Sequence, residues 1–274
     1  PRSSSAASDV YKRQAYYADK KRDKLKDFQL GLLPALGILS LIMTLIIIQP
    51  DYSTALMIGA IGVLILFIGG SSLSQLSAAG ACAMLVGIPV LLSREYRKQR
   101  FLSWLGIGDN TEIGYQANQS LISLGNGGVF GVGLGNSIEK NHFLPTPHTD
   151  FIFAIIGEEL GFVIGTVPVL TLFLLIFIRG LKIAKNCTDP FGIFLSIGIA
   201  FNLVLYAFVN AAVVTGIFPV TGLPMPMVSY GGSGMVVNMA MMGILLNISQ
   251  SRRSVGSKKG CLLYTSDAAD EERG

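Results

Sequence analysis

Asp150 is the carboxylate of this 274-residue chain best placed for chemistry, with His148 just before it and Glu158 and Glu159 further along. It stands where a polar loop stiffened by Pro145 and Pro147 runs into the apolar stretch Phe151-Ile152-Phe153-Ala154. A charge at a water–membrane boundary is costly and rarely kept for packing alone. The same position suits an N-cap interacting with the helix dipole, and a cap is the commoner role of an Asp ahead of a helix. His148 reads equally as a surface histidine. Glu158 lies roughly 12 Å along the helix from Asp150, and Glu158 and Glu159 point about 100° apart, so both cannot face lipid. Charges inside an apolar run are costly and mark function or pairing. For these two glutamates, pairing with loop cations competes with a place in a polar interior.

The elements that hold these residues are apolar. Half of the chain is hydrophobic (51%), only 14% is charged, and the mean hydropathy is +0.56, which sets a soluble domain aside in favour of a multi-span membrane protein. Apolar runs at about 31–48, 54–70, 76–92, 151–178, 190–213 and 231–249 predict six spans within a membrane domain of residues 15–250. Residues 251–259 read as a basic cytoplasmic tail. The ends, 1–14 and 260–274, are polar, lack periodicity and resemble translated adapter sequence, so they are left out of the fold argument.

Alternating six spans places 15–30, 179–189 and 250–259 on one side and 93–150 and 214–230 on the other. The first set carries twelve Lys and Arg, the second five, so the positive-inside rule sends the 58-residue loop 93–150 outside the cytoplasm. Four cations of that loop, Arg94, Arg97, Lys98 and Arg100, are either solvated at the headgroups or form an anion site of the kind arginine forks make. The glycines between 125 and 135 are interleaved with Val129, Phe130 and Leu134, which points to a re-entrant or interfacial segment packed on the bundle. The second outer loop, from Thr221 through Pro224 and Pro226 to Ser229-Tyr230-Gly231-Gly232, either lines a cavity or simply joins two spans. Asp51, in the turn Gln49-Pro50-Asp51, reads as a helix cap. Cys82, Cys187 and Cys261 have no disulfide or metal-ligand spacing. No phosphate-binding glycine loop precedes a cationic helix, so no nucleotide is expected, and the basic balance reads as cytoplasmic loops, not nucleic-acid binding.

Five motifs in order carry a resemblance: Gln49-Pro50-Asp51; Tyr115-Gln116-x-x-Gln119-Ser120; Gly127-Gly128-x-x-Gly131-x-Gly133; Leu144-Pro145-x-x-His148-Thr149-Asp150-Phe151-Ile152-Phe153-Ala154 with Glu158-Glu159-Leu160-Gly161; and Pro224-x-Pro226-x-x-Ser229-Tyr230-Gly231-Gly232-Ser233. Together they resemble the shape, elongation, division and sporulation (SEDS) family, the RodA/FtsW/SpoVE-like proteins. The resemblance implies an all-α polytopic bundle with a large extracytoplasmic loop, of whose ten spans this chain carries the last six. It implies a glycosyltransferase of the bacterial cytoplasmic (inner) membrane that polymerises lipid II into peptidoglycan, beside a class B penicillin-binding protein. The family's essential aspartate falls on Asp150. Thr146 stands where members usually have Glu, which removes a supporting carboxylate.

On that resemblance, Asp150 is expected to take the proton of the acceptor hydroxyl directly, or to hold a divalent cation (Mg or Mn) beside the diphosphate. Lys140 and Arg100 are the candidate diphosphate contacts, and Gln116, Gln119, His148, Glu158, Ser229 and Tyr230 the further candidates for substrate binding. Two rivals are a lipid II flippase, with Glu158 and Glu159 as polar steps, and a non-catalytic scaffold. The clustering of the motifs on the outer face favours the polymerase.

Overall fold

The computed structural model describes residues 16, 17, 20, 28–49, 51–92, 95–105, 107, 112–142, 144 and 148–250. The tails at 1–14, 251–259 and 260–274 lie outside the described residues, as do Arg94, Thr146 and the two prolines beside it.

Apolar helices occupy the six hydrophobic runs: α1 Leu33–Ile48, preceded by the wider turn Phe28–Leu32; α2 Tyr52–Ile68; and α3 Leu73–Leu92. After the outer loop come α7 Ile152–Gly161 and α8 Val167–Lys185, then α9 Pro190–Val214 and α10 Gly232–Gln250. Three stretches, Ile152–Lys185, Pro190–Val214 and Gly232–Gln250, are long and apolar enough to cross a membrane, and the first three helices are apolar but shorter. No strand occurs among the described residues. Caps set two of the boundaries. Asp51 Oδ1 accepts from Thr54 N (3.1 Å), as expected for a cap, and Asp189 Oδ2 accepts from Gly192 N (3.0 Å) just before Pro190 opens α9.

Helix α9 is the central strut. Its inner half meets α1, α2, α3 and α10 in a cluster that includes Leu32, Ile61, Ile65, Phe194, Ile199, Leu203 and Leu245. Its outer half meets Phe151, Phe153, Ile155 and Met225 beneath the Asp150 loop. Between helices in lipid, close fit matters more than hydrophobic drive, and α8 meets α9 where a Cβ on Gly180 would fall 2.3 Å from that of Ala200.

The described residues of loop 93–150 are largely helical, in α4 Glu95–Trp104, α5 Glu112–Gly127 and the short α6 Glu139–His142. Helix α4 is sewn to the rest by Trp104 Nε1 donating to Gly216 O, Arg100 Nη1 donating to Val220 O (each 3.0 Å), and the Arg97 guanidinium lying 3.7 Å from the centre of the Tyr52 ring. Lys98 reaches Glu95 on the same helix, at 4.0 Å. The described cations of this cluster therefore diverge to separate partners and do not form one anion site.

The run expected to be one helix over 151–178 is broken. At Gly161 (φ 78°, ψ −177°) the backbone takes a conformation open only to glycine, and a wide turn, Phe162–Thr166, follows before α8 resumes. A continuous α-helix would bond the amides of 162 and 163 to the carbonyls of 158 and 159. Instead Phe162 N donates to Gly128 O (2.9 Å) and Val163 N to Val129 O (3.1 Å), while Glu158 O and Glu159 O accept from Val132 N and Gly133 N (3.0 Å each). Segment 128–133 is thus inserted into the helix ladder, every displaced group regaining a partner, as non-helical backbone at membrane depth requires. The contact is tight enough that a Cβ on Gly131 would lie 2.2 Å from Glu159 O. This is the packed segment that the interleaved glycines announced.

Candidate active site

Asp150 lies in the turn that precedes α7 and does not cap it. The residue at the cap position is Phe151, with no side-chain cap bond, and Ala154 N turns back to Phe151 O (2.9 Å). The cap reading of Asp150 is therefore corrected: the helix starts one residue later than an Asp cap needs, and the carboxylate is left for other work. It is half-buried against the 221–230 loop, where Gly222 carries no side chain and a Cβ there would come to 3.7 Å of Asp150 Oδ2. Burial pushes the carboxyl above the ordinary carboxylate value, and the Arg100 guanidinium pulls it part of the way back.

The backbone beneath it is held carbonyl by carbonyl. His148 O accepts from Tyr230 N (2.9 Å), Thr149 O from Ser229 Oγ (2.5 Å) and Asp150 O from Asn210 Nδ2 (2.8 Å). Ser229 Oγ also accepts from Met225 N (2.8 Å), so one hydroxyl closes its own loop and ties it to the Asp150 turn. Beside this lies an open recess of about 520 Å³ lined by His148, Ile152, Val228, Ser229, Tyr230 and Met235 with Gly231 and Gly232. His148 is exposed, and Tyr230, at 82% exposure, projects over the recess rim.

Glu158 and Lys140 are not part of this arrangement. Glu158 is 0% exposed; its carboxylate accepts from Ser123 Oγ (3.0 Å), Ser137 Oγ (2.5 Å) and Ile138 N (3.1 Å). With three donors and no exposed surface it has nothing to offer a substrate, and its expected binding role is corrected to that of a knot joining α5 and the stretch just before α6 to α7. Lys140 Nζ donates to Glu159 Oε1 at 2.9 Å, so its expected diphosphate contact would fall to an ammonium already paired with a carboxylate; both side chains are largely covered. Buried Glu139 adjoins the knot, and burial first, then the Glu158 charge, push it above the ordinary carboxylate value. Gln116 and Gln119 are half-buried on α5, the helix that packs against α7. Of the expected residues, Asp150, Arg100, His148, Ser229 and Tyr230 are brought together. Asn210, Ser123 and Ser137 went unnoticed in the sequence, although a lone Asn in the apolar run Ala207-Phe208-Val209-Asn210-Ala211 is a signal by the same rule that singles out Glu158.

A family model for the FtsW, RodA and SpoVE proteins, described as "Cell cycle protein", matches residues 10–254. The chain belongs to this family. As an FtsW/RodA/SpoVE protein with long apolar helices it is an integral membrane protein. The match begins inside the stretch 1–14 set aside as adapter-like. Over 236 residues the chain is 42% identical to the "Probable peptidoglycan glycosyltransferase FtsW" of Geobacter sulfurreducens, covering 86% of this chain and 63% of that protein. It is 38% identical over 240 residues to the "Stage V sporulation protein E" of Bacillus subtilis, covering 87% and 65%. The chain thus spans less than two thirds of the length of these relatives. Among solved structures, a chain of a peptidoglycan synthase complex that coordinates polymerization and crosslinking superposes with a TM-score of 0.65, at 25% identity, covering 84% of this chain and 66% of that one. The rod shape-determining protein RodA of Thermus thermophilus, an aspartate-to-alanine mutant, superposes with a TM-score of 0.54, at 25% identity, covering 89% and 66%.

Proposed function

We propose that this family member is the catalytic part of a peptidoglycan glycosyltransferase, which polymerises lipid II on the outer face of the bacterial cytoplasmic membrane with a class B penicillin-binding protein as partner. The observation that carries this reading is the half-buried carboxylate of Asp150, held on a fixed backbone between two residues, His148 and Ile152, that line an open recess, and within the field of Arg100. Loop 93–150 then lies outside the cytoplasm, in keeping with the distribution of Lys and Arg.

In the reaction, the 4-hydroxyl of the acceptor sugar loses its proton to Asp150 while its oxygen bonds to the anomeric carbon of the donor. The bond from that carbon to the diphosphate breaks, and its electron pair leaves with the undecaprenyl diphosphate. The leaving group is a good one and needs charge stabilisation more than protonation, so one carboxylate suffices where a glycosidase uses two. Arg100 supplies positive charge on the same side. A base with a raised pKa is better matched to the operating pH than an ordinary carboxylate. An apolar cleft of about 390 Å³ between α5, the broken helix and α9, lined by Leu124, Phe153, Phe162, Val167 and Phe208 among others, suits a prenyl tail.

A divalent cation beside the diphosphate would be held by Asp150 together with the phosphate oxygens of the substrate. No group of three or more His, Cys, Asp or Glu able to hold one occurs among the described residues, and the charge that reaches Asp150 is that of a guanidinium. No step is routed through a metal. The flippase reading loses its polar steps, since Glu158 is sealed by three donors and Glu159 is paired with Lys140.

The test is Asp150→Ala in the full-length protein with its partner, assayed for glycan strands from lipid II. Polymer synthesis should be abolished while the protein stays folded; retained synthesis sinks the proposal.

A further inference from the structure

We propose that Asn210 is a positioning residue for the reaction, setting the place of Asp150 from the middle of the membrane bundle. The inference rests on Asp150 serving as the base. Asn210 is 1% exposed on the outer half of α9, and its Nδ2 donates to two backbone carbonyls, Asp150 O and Leu223 O, at 2.8 Å each. A primary amide nitrogen has two hydrogens and no more, so both are committed and the orientation of the side chain is settled by its acceptors.

Each acceptor is one the local backbone does not serve. Asp150 O lies outside the ladder of α7, because Ala154 N, which would reach it in a regular helix, turns to Phe151 O instead. Leu223 follows Gly222, which bends at φ 71°, and precedes Pro224, so it sits in an irregular stretch of the loop on which the Asp150 carboxylate rests. One side chain on a rigid helix therefore fixes the distance between the reacting carboxylate and the loop that forms the recess wall. The ties at His148 O and Thr149 O come from that same loop, through Tyr230 N and Ser229 Oγ, and would move with it; the tie at Asp150 O is the one anchored to α9.

The amide is not there for packing. Its Oδ1 is buried without a partner, a cost that an apolar residue of the same size would avoid. A group retained with one end unsatisfied is explained by what the other end holds, and this end holds the base.

The experiment compares wild type, Asn210→Ala, Asn210→Asp and Asp150→Ala in the full-length protein with its partner, measuring kcat and KM for lipid II polymerisation and normalising to folded, monodisperse protein. Asn210→Asp keeps the shape of the side chain and replaces both donors with acceptors facing carbonyls, so it serves if the alanine variant fails to fold. The expected result is a fall in kcat on the order of 10²-fold, the effect of an ångström-scale misplacement, with KM little changed. Wild-type kcat per folded molecule in either variant overturns the inference, as does a fall in yield alone. If Asp150→Ala is inactive and the Asn210 variants are fully active, only the inference about Asn210 fails. If Asp150→Ala retains polymerisation, the reading of Asp150 as base fails and takes this inference with it.

Discussion

Replacing Gly161 by Ala should undo the insertion of the glycine segment into the broken helix. The new Cβ would lie 2.3 Å from Gly131 N and 2.5 Å from Phe130 C, both backbone atoms, so no flexible side chain can yield. Either segment 128–133 withdraws and loses the four exchanged bonds at Gly128, Val129, Val132 and Gly133, or α7 closes its own ladder and expels it, regaining two helical bonds for the four lost. At about 0.5–1.5 kcal/mol net for each hydrogen bond, the first route costs about 2–6 kcal/mol and the second about 1–3 kcal/mol. Holding Ala in the glycine-only backbone region costs about 1–3 kcal/mol as the alternative. The loss is a large share of the 5–15 kcal/mol that typically separates folded from unfolded states. Denaturant unfolding in detergent micelles measures it, and amide hydrogen exchange at Val132, Gly133, Phe162 and Val163 locates it. Gly125→Ala, where a Cβ meets nothing within 4 Å in the body of α5, is the control and should leave stability equal or raised by up to about 1 kcal/mol. A Gly161→Ala protein within about 1 kcal/mol of wild type, with unchanged exchange at those four amides, refutes the ladder-exchange account.

The pH dependence of polymerisation should show an acidic limb above the ordinary aspartate value, because Asp150 works ionised and burial raises its pKa; Arg100→Gln removes the opposing charge and should move that limb to higher pH. The sign for stability is opposite: the folded state keeps the Asp150 proton longer than the unfolded chain does, so this group's contribution falls as pH rises from the ordinary carboxylate value through the raised one, which urea titrations of wild type and Asp150→Asn compare. A double-mutant cycle on Lys140→Met and Glu159→Gln should give a coupling of about 1 kcal/mol in stability with polymerisation largely retained, since the lysine is spent on the glutamate; loss of lipid II affinity in Lys140→Met would restore its diphosphate role. Ser229→Ala should destabilise by about 1–3 kcal/mol by stranding Met225 N and Thr149 O. Tyr230→Ala, at an exposed rim, should leave the thermal midpoint unchanged and raise KM.

Whereas the choice of Asp150 as base rested on the family resemblance, hydropathy, charge and a few turn residues were enough to locate the apolar helices, to mark Asp51 as a cap and to point to a packed glycine segment. These are local properties: a helix in lipid satisfies its own backbone, so a run of apolar residues announces it without reference to the rest of the chain. What Asp150, Glu158, Lys140 and Asn210 each touch was decided only by the tertiary structure. The amides of 162 and 163 find their acceptors at 128 and 129, Glu158 finds Ser123, and Asn210 finds the carbonyls of 150 and 223, pairings that join distant parts of the chain. A sequence shows that a buried polar group must have a partner, and the fold alone chooses which. That choice turned Glu158 into a structural knot, paired Lys140 with Glu159 and left Asp150, freed from capping, beside the recess.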